Sequence, residues 1–196
     1  MATYRGIAAV GQAILSLLEE GCPKPEFTGA EFKLYGVQDF KDPIPEGASL
    51  YLYRVTVNPA VRNTPPRLGP DGRQYRPSLP IDLHYLLTVW GKNAVKQQRL
   101  LGWCMRELEN TQTLPASLLN NPGPEPGIFD SSESVEITLD QLSTQDWANI
   151  TDPIKADMQL SVPYMARLVR VDSDISMQEF KAVQTRIFGP GKLVHG

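Results

Sequence analysis

The chain has 196 residues, 41% of them hydrophobic, with a formal net charge of −3. That suits one globular domain and excludes a fully disordered chain, and nothing in the overall charge announces a nucleic-acid binder. Its 17 prolines gather in connections, which implies long, shaped loops on a small framework.

Residues 4–20 read as a helix, with Ile7, Val10, Ile14, Leu17 and Leu18 on one stripe and Gly21 and Pro23 as the stop. The opposite face is small (Ala8, Ala9, Gly11, Ala13), which permits close packing against a sheet or another helix. Residues 26–37 carry Phe27, Phe32, Leu34 and Val37 among polar neighbours and read as a strand. Asp42-Pro43 and Pro45-Glu46-Gly47 then turn the chain.

The central stretch runs from Ser49 to Trp90. Its left flank, Leu50 to Val57, alternates with Tyr51, Tyr53, Val55 and Val57 on one face. Its right flank, Ile81 to Trp90, alternates with Ile81, Leu83, Tyr85, Leu87 and Val89 on one face. Both are period-two patterns of half-buried strands. Between them lies an arm, Asn58 to Pro80, with Pro59, Pro65, Pro66, Pro70, Pro77 and Pro80. Proline removes backbone donors and holds the chain extended, so this is not ordinary core. The arm carries Arg62, Arg67, Arg73 and Arg76 against one acid, Asp71. A long irregular loop in a compact domain is functional or disordered.

After Gly91 a helix is expected from about Lys92 to Asn110, with Ala94, Leu101, Cys104 and Leu108 on its apolar face. Thr111 to Gly127 has loop chemistry throughout, and residues 134–139 alternate as a strand with Val135, Ile137 and Leu139 inward. Ser143 to Asp146 resembles a capping box that opens a short helix ended by Pro153. The last strand runs from Leu160 to Val171, with Leu160, Val162, Tyr164, Ala166 and Leu168 on one face, and Pro163 argues for an edge position or a bulge. In the tail, Ser176 and Glu179 are placed to cap a helix, while Val183 to Phe188 pattern equally as an edge strand.

The sum is an α+β fold: a small mixed or antiparallel sheet of four to six strands, helices mainly on one face, and a long Pro/Arg-rich arm between two central strands. The domain is expected to span residues 1–171, with the arm at 58–80 and a C-terminal extension at 172–196.

Catalytic groups are scarce. Asp82 and His84 point the same way on one strand face, so an acid–base pair is conceivable, but no nucleophile stands out and a hydrogen-bonded structural histidine is the simpler reading. His195 lies near the C-terminus. GPDGR lacks the Walker lysine spacing, and there is no CxxC, HExxH or GxSxG. No catalytic residue, cofactor or metal site is expected. Cys22 and Cys104 have no metal or redox spacing and read as reduced thiols. No apolar run approaches the roughly 20 residues that span a bilayer, and the N-terminus lacks a signal-peptide pattern, so a cytoplasmic protein is expected.

For the arm, three roles are open: a solvated loop, phosphate contacts to nucleic acid, or protein assembly. Assembly fits best, because proline-stiffened segments lose little entropy on docking and arginine makes fork-shaped contacts with carboxylates.

Five runs, LYLYRVTVNPAVRNTPPR, DGRQYRPSLPIDLHYLLTVW, QQRLLGWCMRELENT, LPASLLN and LSVPYMARLVRV, closely resemble one family. It is the N-terminal-type domain of the tail-terminator or cap protein of phage-tail-like contractile injection systems, the group of the antifeeding prophage and the virulence cassettes. The resemblance covers Tyr4 to Val171 in order. It implies a structural protein that closes the baseplate-distal end of the inner tube as a sixfold ring and helps set particle length. The partners implied are copies of the chain itself and the tube and sheath proteins, with no nucleic acid, small-molecule substrate or membrane insertion. Carried onto this sequence, the contact arm comprises Arg62, Asn63, Pro65, Pro66, Arg67, Asp71, Gly72, Arg73 and Arg76, with Tyr75 among them. Leu68, Gln74 and Tyr75 make it less arginine-dense than the family pattern.

Overall fold

A computed structural model describes residues 3–61, 64–69, 71–121, 127–152 and 159–177. In chain order the elements are α1 (Gly6–Gly21), β1 (Glu31–Tyr35), a 3-10 turn (Val37–Lys41), β2 (Gly47–Val57), β3 (Arg67–Leu68) and β4 (Gln74–Tyr75). Then follow β5 (Leu79–Trp90), α2 (Ala94–Asn110), β6 (Thr113–Pro115), α3 (Ala116–Leu119), β7 (Ser134–Leu139), α4 (Thr144–Thr151) and β8 (Ser161–Val171).

Six strands form one sheet in the order β1-β2-β5-β8-β7-β6, and β3 and β4 make a separate hairpin inside the arm. β1 runs parallel to β2 and every other pair is antiparallel, so the expected small mixed sheet is present. β5 lies inside the sheet, between β2 and β8, with Ile81, Leu83, Tyr85, Leu87 and Val89 buried on one face. Helices α1, α2 and α3 cover that face, contributing Val10, Ile14, Leu18, Leu100, Cys104, Leu108 and Leu119 to a single core. Each such leucine is worth about 1.5–3 kcal/mol in burial. At the small side of α1, a Cβ on Gly11 would stand 2.9 Å from the Leu34 side chain, so glycine there lets helix and sheet approach closely. Asn93 caps α2, its side chain accepting the Lys96 N–H at 2.9 Å.

Two β-bulges revise the expected faces. β2 and β5 lose register between Leu52 and Arg54, where Tyr53 is the extra residue. Leu50 and Leu52 therefore join the helix-covered core, whereas Tyr51 turns to the other face and packs on Phe40 in a second, aromatic cluster with Tyr35, Ile44 and Trp90. β5 and β8 slip between Ile81 and Leu83, opposite Ala166 to Val169, and Leu168 adopts φ 60°. The inward set accordingly changes from Tyr164 and Ala166 to Val169.

Other expectations also change. Thr111 to Gly127, expected as loop throughout, contains β6 and α3, because buried Leu114 and Leu119 hold it to the core. Pro163 lies in an interior strand opposite Leu86. Its carbonyl accepts the Asp140 N–H just past the end of β7, so its missing donor falls where the β7 ladder ends. α4 begins at the expected cap, with Ser143 accepting from the Asp146 N–H. Cys22 and Cys104 are buried and free within the main core. The expected tail helix or strand, Pro153 and His195 fall outside the described residues.

Candidate functional site

The arm is ordered by its own charges. Gly72 N–H donates to Gly69 C=O and Gly69 N–H to Arg73 C=O, closing the hairpin between β3 and β4. Gly72 takes φ +75°, a left-handed conformation that favours glycine at such a turn. Asp71 is the hub. Its carboxylate accepts the Arg73 N–H at 3.1 Å and the Tyr75 hydroxyl at 2.9 Å, with Arg73 Nε 3.8 Å away. Those two hydrogen bonds hold its carboxyl below the usual carboxylate range.

Arg67 stacks on the Tyr75 ring, 5.1 Å from its centroid, and reaches Asp172 at 3.5 Å. Ser78 Oγ donates to the other Asp172 oxygen. Asp172 directly follows β8, and its side chain is only 6% exposed, so it pins the arm to the end of the sheet. The chain then runs beside β4: Arg76 N–H donates to Ile175 C=O and Met177 N–H to Gln74 C=O, with Tyr75 opposite Ser176. An isolated β-bridge therefore joins the two-stranded arm hairpin to residues 175–177, which follow the domain's last strand.

Of the expected contact residues, Arg67, Asp71, Gly72, Arg73, Tyr75 and Arg76 come together in and around this hairpin, reached through exposed Pro65 and Pro66. Arg62 and Asn63 lie outside the described residues. Asp172, Ser78 and Ile175 were not anticipated. Ser78 and Asp172 are 94 positions apart, and no local pattern pairs them.

The far face of β5 holds the second polar group. His84 is 4% exposed. Its Nδ1 lies 2.7 Å from Asp140 and its Nε2 2.9 Å from the Thr56 hydroxyl, while the Tyr53 hydroxyl donates to the same Asp140 oxygen at 2.7 Å. Burial alone would push the Asp140 carboxyl up, but the hydrogen bonds from His84 and Tyr53 hold it below its ordinary value. Burial, and the bond to Asp140, push the Tyr53 hydroxyl well up. Asp82 accepts twice from Asn58 Nδ2, at 3.1 and 3.0 Å, and once from the Leu168 N–H at 2.9 Å, so it caps the bulge. Asp140, His84 and Thr56 have the connectivity of an acid–base–nucleophile relay. Both ring nitrogens of the buried histidine are already engaged, however, so the arrangement ties β2 to β5 and to the loop after β7. Asp82 and His84 share a face yet serve different networks. Among the described residues no cluster of His, Cys, Asp or Glu has the makings of a metal site.

This architecture is that of a known structural class. Residues 9–185 match the Pvc16 N-terminal domain, and the chain belongs to that family. Among solved structures, it is similar to the PVC sheath/tube terminator, in its extended state, of an extracellular contractile injection system. That likeness has a TM-score of 0.61 at 14% identity and covers 95% of this chain and 65% of the other. It is also similar to the anti-feeding prophage cap, described as a tube terminating cap. There the TM-score is 0.56 at 13% identity, with 94% of this chain and 60% of the other covered. The chain thus spans less than two thirds of either relative. No curated protein matches it. The resemblance carried by the five sequence runs and the family match point to the same group.

Proposed function

We propose that the chain is a structural cap that closes the baseplate-distal end of the tube and sheath of a contractile injection particle. It does so as a hexameric ring and helps set particle length. The observation that carries this reading is the terminator-like fold shared over 95% of the chain, together with the family match. The role is non-enzymatic: the best acid–base candidate, His84, is buried and engaged in structural hydrogen bonds. The arm, from Arg62 to Arg76, supplies contacts to neighbouring copies and to the last tube and sheath layer. Assembly takes place in the cytoplasm. Among the described residues no helix is long and apolar enough to cross a membrane.

A nucleic-acid adaptor is the less favoured role, because Arg67 is largely buried against Asp172 and the chain carries a formal net charge of −3. Such an adaptor would show nucleic-acid binding that falls steeply with salt and is lost in Arg73→Ala/Arg76→Ala. The cap reading is tested by electron microscopy of particles from cells lacking the protein. Tubes and sheaths of irregular length are expected. Particles of normal, uniform length with an intact terminal ring would overturn it.

A further inference from the structure

Among the described residues the main sheet has open edge on β1, on β6 and along half of β2. β1 carries the ion pair of Glu31 and Lys33, and β6 is three residues long and ends in Pro115; both are guards against strand addition. β1 pairs with β2 only from Gly47 to Tyr51, whereas β2 runs on to Val57. Residues 52–57 thus have β5 on one side and, among the described residues, no strand on the other. Asn58 N–H donates to Pro80 C=O. Hydrogen-bonded and non-hydrogen-bonded pairs alternate along an antiparallel ladder. Thr56 and Arg54 therefore also bond toward β5, and Val55 and Val57 direct their N–H and C=O groups to the open side. These two valines lie opposite buried Leu83 and Ile81, on the helix-covered face, yet they are 45% and 47% exposed and stand apart from the core. Arg54, the one charge in the stretch, turns to the other face beside His84.

An unguarded strand edge with apolar side chains is a template for an added strand. The chain itself holds a segment of matching length. Val183, Thr185 and Ile187 alternate with Gln184, Arg186 and Phe188, and Gly189-Pro190-Gly191 stops the run. These residues lie outside the described ones, but the family match continues to residue 185, so the family domain includes chain past β8. The start of the tail is held at Met177, whose N–H donates to Gln74 in the arm, and the arm springs from the Val57 end of β2. Residues 178–182 separate that point from Val183, a reach of roughly 20 Å. From Gln74 to the start of β5 at Leu79 is at most about 17 Å of chain. A segment returning over that distance meets β2 at Val57 and runs antiparallel to it, toward Leu52. So short a tether holds the segment at an effective concentration on the order of millimolar, which favours the chain's own tail over a tail from another molecule.

We propose that residues 183–188 add to the sheet as a strand on the open edge of β2, where the alternating apolar residues of the tail cover Val55 and Val57. The pairing is within one chain. It is independent of the cap role, and it makes the tail a part of the domain's own sheet.

The test reads hydrogen exchange at single amides of the full chain, each sample at two protein concentrations. Val55 and Val57 are the reporters, because their amides point to the open edge and an added strand is what would protect them. They are expected to exchange at least about tenfold more slowly in the full chain than in Val183→Asp or Ile187→Asp. Core amides such as Leu87 should be unchanged in both variants, which shows that the fold survives the substitution. A chain stopped after Met177 should match the two variants. Fast exchange at Val55 and Val57 in the full chain overturns the proposal. So does protection that persists in the two variants and the shortened chain, which would assign it to another part of the molecule. Protection that rises with concentration also overturns it, because the added strand would then come from a second copy.

Discussion

Two charged regions flank β5, and they use charge in opposite ways. Beneath the strand, Tyr53, Thr56, Asn58, Asp82, His84 and Asp140 bond to one another, with ring nitrogens and carboxylate oxygens answered inside the chain. Beyond its N-terminal end, the arm uses one carboxylate, Asp71, to shape its tip and another, Asp172, to anchor its base, and leaves Arg76 and most of the Arg73 side chain in solvent. Buried polar groups are costly unless every partner is present, so the first region is a structural lock. Exposed guanidiniums contribute little to folding, so Arg73 and Arg76 in the second region add little to the stability of the fold. The lesson is that polar density alone does not mark a working surface. The region that resembles an active site holds the fold together, and the region that resembles a loop is the one proposed to make contacts.

Substitutions test that contrast. Asp82→Ala removes the acceptor for Asn58 and strands the Leu168 N–H at a bulge whose φ is already unfavourable. Urea unfolding should show a loss of about 2–4 kcal/mol. A loss under about 1 kcal/mol would mean that water replaces the carboxylate and the lock is not closed.

His84→Ala should cost about 1–3 kcal/mol, because it leaves Asp140 and Thr56 without their shared partner. Particles assembled with the variant at permissive temperature should still be of normal length. An assembly defect in a fully folded His84→Ala chain would move this region from structure to function.

The pH dependence follows from Asp140, which faces His84, Tyr53 and Arg54. Its folded-state pKa is depressed, so its contribution to stability is present above its unfolded value of about 3.9 and is lost as pH falls through the folded value. The stability gap between wild type and Asp140→Asn should therefore be constant near neutrality and shrink below about pH 4. A gap that does not change with acid would show that the carboxylate is not held by these bonds.

Arg73→Ala and Arg76→Ala should have the smallest effect on folding, within about 0.5 kcal/mol of wild type. A larger loss by denaturant titration would place these guanidiniums in the lock rather than in the contact.

The sequence made the framework legible where one side-chain pattern sufficed. Alternation from Ile81 to Val89 marks β5, the stripe from Val10 to Leu18 marks α1, and the runs shared with the terminator family span both. It failed where a backbone event or a distant partner decides the outcome. The single extra residue at Tyr53 reverses which tyrosines and leucines of β2 meet the core, and period-two counting carries no sign of a bulge. Leu114 and Leu119 look like loop residues among proline and asparagine until β7 supplies β6 with a partner. For the site, the arm and its arginines were visible as composition. Its anchor was not, because Asp172 meets Arg67 and Ser78 only after β8 has crossed to lie beside β5. His84 drew attention to Asp82, its neighbour in sequence, while its actual partner Asp140 comes from the loop after β7.

In the cap reading proposed above, the arm works outward, on other molecules of the particle. The most direct measurement replaces the native chain by Arg73→Glu/Arg76→Glu in cells that build the particle and scores tube and sheath lengths by electron microscopy. The purified variant's unfolding is recorded alongside. An unchanged unfolding midpoint with broadened lengths and missing terminal rings is the predicted result. Particles of uniform length with normal terminal rings, built with the charge-reversed arm, would contradict it.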